Sequence, residues 1–386
     1  MMYYLFILGI FAIFSTTISK NPVLPLFSQA LGASDLVIGL ISAVSPFAGI
    51  VLSFPVGVLS DHIGRRRLLV ASGAVFFIAP LLYIFIADPV WLIPVRFFHG
   101  MATAILGPVI SAVIIDRFPA RKGEMLGQYS SATYFGRMIA PLAGGIIITL
   151  FITSPGLIAY HAVYIAACLA GIPVFILTLM YREERSGPIN VLPFSVFRDS
   201  LRAFFANPGL RATALVDMAT YFAFGALETF LPVLLTSQHF DAYQIGIIFA
   251  IQVLAIAATK PFFGRLADRV DKRYQICAGI LVTGASIAVI PFASTFIEFL
   301  MISSVFGIGM SLSSVATSAY VGDIARRDSV GASMGALSSI MDIGQSSGPL
   351  ITGAVITVAG FTLGFFISFF IAVVVCGVFI VSTAEL

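Results

Sequence analysis

The fold class this sequence predicts is an all-α membrane protein of twelve transmembrane helices, arranged as two pseudo-symmetric bundles of six. Three observations predict it. The 386 residues are 59% hydrophobic and only 10% charged, whereas a soluble domain carries about 25% charged residues. Apolar runs of membrane-spanning length recur along the whole chain. The second half also repeats the first at an offset of 207 residues. With mean hydropathy +1.05, no water-soluble fold of this size hides so much apolar surface, because its exterior must still face water.

Crossing ~30 Å of hydrocarbon takes about 20 apolar residues. Runs interrupted by Gly, Pro or charge place the spans at 3–28, 36–58, 68–88, 91–115, 123–150, 158–181, 209–236, 242–263, 275–293, 296–321, 330–358 and 360–381. The opening MMYYLFILGIFAIF lacks the basic n-region and A-x-A site of a signal peptide. The repeat also requires it, so it is expected to be a retained helix. Most connections are short, which makes consecutive helices antiparallel. The exception is 182–208, a polar stretch with Arg182, Glu183, Glu184, Arg185, Pro188, Pro193, Arg198 and Arg202. It is expected to be a cytoplasmic linker between an N-terminal bundle at 1–181 and a C-terminal bundle at 209–386.

Lys and Arg set the orientation. With both termini cytoplasmic, 17 of the 21 Lys and Arg fall in inner loops and helix ends, including Arg65, Arg66, Arg67, Arg117, Arg265, Arg269, Lys272 and Arg273. The other four, Lys20, Arg96, Arg137 and Lys260, lie within spans. The outer loops carry Asp35, Asp88, Asp241 and Glu298. A multi-pass plasma-membrane protein is the expectation. The formal net charge of +3 gives no argument for nucleic acid. The three cysteines lie apart inside apolar runs and suggest neither a disulfide nor a metal site. No phosphate-binding G-x-x-x-x-G-K-[ST] loop or H-E-x-x-H motif is present. ATP drive, metalloenzyme chemistry and a resident cofactor are therefore not expected, and the chain reads as a monomeric non-enzyme.

The repeat pairs polar and conformationally special residues. Gly57, Leu59 and Asp61 meet Gly264, Leu266 and Asp268; Pro25 meets Pro232, Gly100 meets Gly307, and Asp116 meets Asp323. One further residue of offset aligns the 26 residues from Gly123 with those from Gly331, nine of them identical. Chance similarity of apolar helices would match Leu and Ile, not spaced Gly, Pro and Asp. Parallel repeats that meet around a central site are a known transporter plan.

GVLSDHIGRRR, from Gly57 to Arg67, resembles the signature between the second and third helices of the major facilitator superfamily. Its copy, GRLADRVDKR from Gly264 to Arg273, has Asp271 in place of the second glycine. Arg96-Phe97-Phe98-His99-Gly100 resembles the family's R-x-x-Q-G pattern, with His for Gln. Gly136…Pro141-x-x-Gly144-Gly145 is similar to the antiporter signature, with Ala140 where a glycine is usual. Pro22-x-Leu24-Pro25 fits the drug:proton antiporter branch. The resemblance covers nearly the whole chain and implies alternating access. It implies a cytoplasmic gate built from Gly57, Asp61, Gly64, Arg65, Asp116, Arg117, Gly264, Asp268 and Arg269. For the loop charges the alternative is simple anchoring by the positive-inside rule. Gly136, Pro141, Gly144, Gly145, Gly344, Gly348 and Pro349 read as close-packing and kink sites, or as flexing points that seal the path against leak.

Ionisable residues inside spans are costly and usually face a cavity or a partner. Helical spacing collects them into stripes: Asp217, Tyr221, Phe224 and Glu228; Arg96, His99 and Thr103; Ser130, Thr133 and Arg137; Ser338, Asp342 and Gln345. Proton coupling asks for a carboxylate or His in a partly dry site. Asp342 ranks first, ahead of Glu228 and Asp217, with Arg96 tuning a neighbour and His99 either titrating or merely packed. Lys20, Arg137, Thr133, Thr103, Tyr221, Phe224 and Gln345 are expected to line a substrate cavity, and a Lys20–Glu228 ion pair is plausible across its outer end. Lys260 is better explained by snorkelling to the inner surface. The leading functional expectation is proton-coupled export of small amphipathic molecules through the bilayer. The alternatives are proton-coupled transport of one polar or anionic metabolite, held by Lys20, Arg96, His99 and Arg137, and, remotely, a non-transporting sensor or enzyme.

Overall fold

The structure, a computed structural model, describes residues 2–182, 202, 204–324 and 330–384; side chains at 2, 54, 57–63, 120, 122 and 330–334 fall outside that description. The side chains of the gate positions Gly57 and Asp61, and most of the expected linker, therefore lie outside the described residues.

The helices are α1 (Met2–Ile18), α2 (Val23–Ala30), α3 (Asp35–Ile63), α4 (Arg65–Leu82), α5 (Leu92–Arg117), α6 (Lys122–Leu150) and α7 (Ile158–Met180), then α8 (Pro208–Ser237), α9 (Ala242–Ala267), α10 (Lys272–Val289), α11 (Phe296–Ile324) and α12 (Val330–Thr383). Helices α1 and α2 together make the first span. Helix α12 holds the last two spans. Its apolar part, Gly335–Thr383, is 49 residues long, about 73 Å at 1.5 Å per residue, enough to cross twice. The break falls at Gly360, where φ is 79° and ψ 173°, a conformation that glycine reaches without steric cost. Twelve spans follow, with the last boundary where the sequence placed it.

Two other boundaries moved. The second and third spans were expected to stop at 58 and resume at 68. Instead α3 runs to Ile63, and α4 starts at Arg65. Helix hydrogen bonds do not require apolar side chains, so the helices continue through SDHI and RRR. Only Gly64, at φ 93°, turns the chain. The second-half copy turns differently. Asp271 sits at φ −59° and caps α10, its carboxylate accepting from Arg273 N at 2.9 Å. A glycine turn and an Asx cap are two solutions for the same corner.

The chain divides into two compact units, Met1–Val191 with Pro232–Ala250, and Leu192–Leu231 with Ile251–Leu386. In the first, α1 packs on α6 and α7, α3 on α5, and α4 on α5 and α7. In the second, α10 packs on α11 and α12, the counterparts of the α4 contacts. The core of the first unit gathers Leu5, Leu8, Leu69, Phe76, Val109 and Val174; that of the second gathers Val216, Ile276, Ile280, Ala316 and Phe379. Large apolar side chains such as Phe370 and Ile297 stand exposed, the arrangement that lipid rather than water tolerates.

Close approach explains the signature glycines. A Cβ on Gly136 of α6 would lie 2.5 Å from Ile10 O of α1, and one on Gly344 of α12 would collide with Met218 O of α8. Ile10 and Met218 lie within one residue of the 207-residue offset that relates the two halves. Small residues at such crossings let backbones meet.

Candidate transport site

Each unit carries the same electrostatic corner. In the first, Arg65 pairs with Asp116 and donates to Ala112 O at 3.2 Å. In the second, Lys272 pairs with Asp323 at 2.7 Å. These are equivalent positions in the repeat, tying the third span of each half to the fourth. The next basic residue ties the corner to the sixth span: Arg66 donates to Leu179 O at 3.3 Å, and Arg273 to Thr383 O at 2.8 Å. Cations suit helix C-termini, whose last carbonyls are unsatisfied. Asp116 and Asp323 are more than half exposed, so either pair alone adds little stability. Arg117, Asp268 and Arg269 are exposed, and Gly64 and Gly264 are half-buried.

Within the first unit, Arg96 and His99 of α5 are both 1% exposed. His99 meets Tyr83, whose hydroxyl lies 3.3 Å from His99 Nδ1, and the Arg96 guanidinium is close enough to interact electrostatically with that phenol. Tyr83 stacks on Tyr164 with ring centroids 4.2 Å apart and an interplanar angle of 7°. Phe27 packs against Tyr164 in turn. Arg96 Nε and Nη1 find no hydrogen-bond acceptor among the described residues. A buried guanidinium with two nitrogens so placed is a costly arrangement. Neither Tyr83 nor Tyr164 was singled out from the sequence; the one available signal was a tyrosine near the end of an apolar span in a bundle containing a buried cation.

The hydroxyls on the adjoining stripes serve their own helices. Thr103 donates to Gly100 O at 3.2 Å, and Thr133 to Ser130 O at 2.7 Å. Lys20 occupies the turn between α1 and α2, and Arg137 lies on α6 beside Gly136, both half-buried. Pro141, Gly144 and Gly145 continue along α6 and are buried, Gly144 against Ile18 and Gly145 against Ala242.

In the second unit the α8 stripe separates into two environments. At one end, Asp217 is 1% exposed and accepts a 2.8 Å hydrogen bond from Thr317 Oγ1 of α11. At the other, Glu228 accepts from Gln345 Nε2 of α12 at 3.3 Å. Between them Tyr221 and Phe224 meet edge to face, centroids 6.1 Å apart. Asp342 lies on α12 three residues before Gln345 and is half-buried; Gly348 and Pro349 follow, buried against α8. Thr317 belongs to the Ser311–Ser318 stretch, which by sequence reads as close helix packing. It does pack closely, since Gly279 meets the Ser313 backbone, but it also supplies the partner of Asp217.

A polytopic helical protein with buried charges in both bundles has the build of a membrane transporter. The sequence model of the Major Facilitator Superfamily matches residues 5–243 and 213–385, and the chain belongs to that family. An uncharacterized MFS-type transporter of Methanocaldococcus jannaschii is 24% identical over 341 residues, covering 88% of this chain and 87% of its own. Multidrug resistance protein 2 of Bacillus subtilis is 24% identical over 342 residues, covering 86% and 83%. Among solved structures, the nucleoside transporter NupG (D323A mutant) superposes with a TM-score of 0.84 at 14% identity, covering 99% of both chains. A bacterial homologue of the human lysosomal transporter Spinster, inward-facing and occupied, reaches 0.81 at 15% identity, covering 100% of this chain and 96% of its own. The two solved structures establish the fold. The chain is a multi-pass transporter rather than an enzyme, and it resembles the drug:proton branch.

Proposed function

We propose that the chain is a monomeric, proton-coupled exporter of small amphipathic molecules, working by alternating access in the plasma membrane with both termini cytoplasmic. The observation that carries this reading is the antiporter-like stretch from Gly136 to Gly145, in which Gly136 packs against α1 where a Cβ would not fit. The relatives named as multidrug resistance proteins support it. In this account Asp342 carries the proton, with Glu228 and Asp217 as further acidic sites, and Arg96 with His99 tunes the path. Lys20, Thr103, Thr133, Arg137, Tyr221, Phe224 and Gln345 contact the substrate. The Arg65–Asp116 and Lys272–Asp323 corners, with Gly57, Asp61, Arg117, Gly264, Asp268 and Arg269, form the cytoplasmic gate. The working domains are 1–181 and 209–386, joined by 182–208.

The charge distribution favours a second reading. Lys20, Arg96 and Arg137 place three cations within the spans of the first half, where no carboxylate lies mid-span. A bundle so charged suits a carboxylate or phosphate on the cargo. Purified protein in liposomes, given a pH gradient and a panel of dyes, drugs and organic anions, separates the two. Pumping of several unrelated amphipathic compounds supports export of drug-like molecules; saturable flux of a single anion supports the metabolite reading.

A further inference from the structure

We propose that Asp217, Thr220, Ser313 and Thr317 form a binding site for a small monovalent cation, a proton or a sodium ion, enclosed within the second unit. The four side chains form two rungs between α8 and α11. Asp217 faces Thr317 at 2.8 Å, and Thr220 Oγ1 faces Ser313 Oγ at 3.4 Å. Asp217 and Thr220 are three residues apart, Ser313 and Thr317 four, so each pair shares one helix face and the rungs are about one turn apart. All four residues are no more than 1% exposed. Val216 and Ala316, their chain neighbours, belong to an apolar core with Ala212 and Ile276.

An ionised carboxylate in such a place, served by one hydroxyl, is strongly disfavoured unless a positive charge meets it. No described basic side chain does so. The titratable and charged groups on the helices around it are engaged elsewhere or do not bond it. On α8 these are exposed Arg211, Tyr221 one turn on, which meets Phe224, and Glu228 farther along, which accepts from Gln345. On α11 they are Tyr320, packed on Phe379, and Asp323, held by Lys272 of α10. Arg273 of α10 is taken by Asp271 and Thr383 O, and Cys277 of α10 adjoins Cys376 of α12. Asp342 lies on α12, the helix whose Leu337 packs near Leu210 and Ala214 of α8. In this proposal a bound cation supplies the neutralising charge.

The hydrogen bonding accommodates the empty, protonated and sodium-bound states of the site. Thr317 has a second acceptor, Ser314 O at 3.1 Å. With Asp217 ionised, the Thr317 hydroxyl donates to Asp217 Oδ1. With a proton on Asp217, the carboxyl donates to Thr317 Oγ1, and the Thr317 proton turns to Ser314 O. With sodium, the same turn leaves a lone pair on Thr317 Oγ1 for the ion, beside the Asp217 oxygens. Thr220 already spends its proton on Val216 O at 2.9 Å, so its lone pairs remain available. Neither Thr317 nor Thr220 has a stranded donor in any of the three states.

The test uses the purified full-length protein in lipid nanodiscs, with two readouts. The first is thermal unfolding in sodium chloride against choline chloride at equal ionic strength. The second is the infrared C=O stretch of a protonated carboxyl, taken as wild type minus Asp217→Asn from mildly acidic to mildly alkaline pH. If sodium occupies the site, Tm rises saturably with sodium, Asp217→Asn abolishes the rise, and Thr317→Val weakens the apparent affinity about tenfold. If a proton occupies it, sodium does nothing, and the difference spectrum contains a carboxyl band that Thr317→Val shifts. The proposal is overturned if sodium has no effect and no such band appears at any pH, or if Asp217→Asn keeps the sodium response. Should Asp217→Asn fail to fold, Thr317→Val and Asp217→Glu decide it alone: wild-type behaviour of both overturns the site, and a changed sodium affinity or a moved carboxyl band supports it. Neither readout involves transport, so the result stands apart from whether the exported cargo is amphipathic or anionic.

Discussion

Substituting Gly136 by alanine isolates the contact on which the packing of α6 against α1 rests. The added Cβ would lie 2.5 Å from Ile10 O, with Phe14 N at 3.2 Å and Ile10 C at 3.3 Å. All three are backbone atoms of α1, so no side chain can rotate away. Ordinary contact begins near 3.4 Å, so α1 must withdraw by about 0.9 Å, the difference between 3.4 and 2.5 Å. Overpacking of this kind costs roughly 1–3 kcal/mol. Each bundle is of the size for which 1 kcal/mol moves Tm by roughly 2–4 °C, so the expected fall is roughly 2–12 °C. Gly127→Ala, one helix stretch earlier with nothing within 4 Å of its Cβ, is the internal control and should leave Tm unchanged or slightly higher, since alanine is the better helix former. Fluorescence-detected thermal unfolding in detergent reads both variants. Equal Tm values for the two would refute the close-packing argument, and with it the same reasoning for Gly344 on Met218 O.

Other consequences follow from the same geometry. Asp342→Asn should abolish transport driven by a pH gradient while leaving the elution profile and helical circular dichroism intact; wild-type coupling in that variant would remove Asp342 from the mechanism. Asp116→Asn should cost under about 1 kcal/mol of stability, because its pair with Arg65 is half in solvent, yet it should impair flux, and Arg65→Asp with Asp116→Arg should restore part of it. Asp271→Ala should cost about 1 kcal/mol through the lost cap, and Asp271→Gly only a few tenths. The hydrogen bond from Arg273 holds the Asp271 carboxyl below its ordinary range. With a folded value that is depressed, its stabilisation is present above the usual aspartate pKa and fades as pH falls below it. The Tm difference between wild type and Asp271→Ala should therefore be flat through neutral pH and shrink only in acid.

Much of the fold was legible because hydropathy, charge and repetition are properties of a chain solvated by lipid. The last break, at Gly360, was marked by the glycine itself. The corner after the second span was misjudged because a hydropathy reading stops at charge, whereas α3 continues through Asp61 and His62 to Ile63 until Gly64 turns it. The buried charges Arg96, His99, Asp217 and Glu228 stood out, since ionisable residues are rare in spans. Their partners did not. Tyr83, Thr317 and Gln345 reach them from other helices, and helical periodicity says which residues share a face but not which face of which neighbour they meet. The symmetric corners, Arg65–Asp116 and Lys272–Asp323, lay hidden for the same reason: the repeat aligned all four residues, and only the packing joined them in pairs.

The central claim is proton-driven export, and the most direct measurement is flux in proteoliposomes carrying only this protein. With the interior acidified relative to the bath, a fluorescent amphipathic quaternary amine, which has no neutral form to permeate, should be taken up by inverted molecules, with protons leaving in step. A protonophore should collapse the uptake, and Asp342→Asn should show none. Flux of the amine that is indifferent to the pH gradient, or saturable movement of one organic anion alone, would contradict the account.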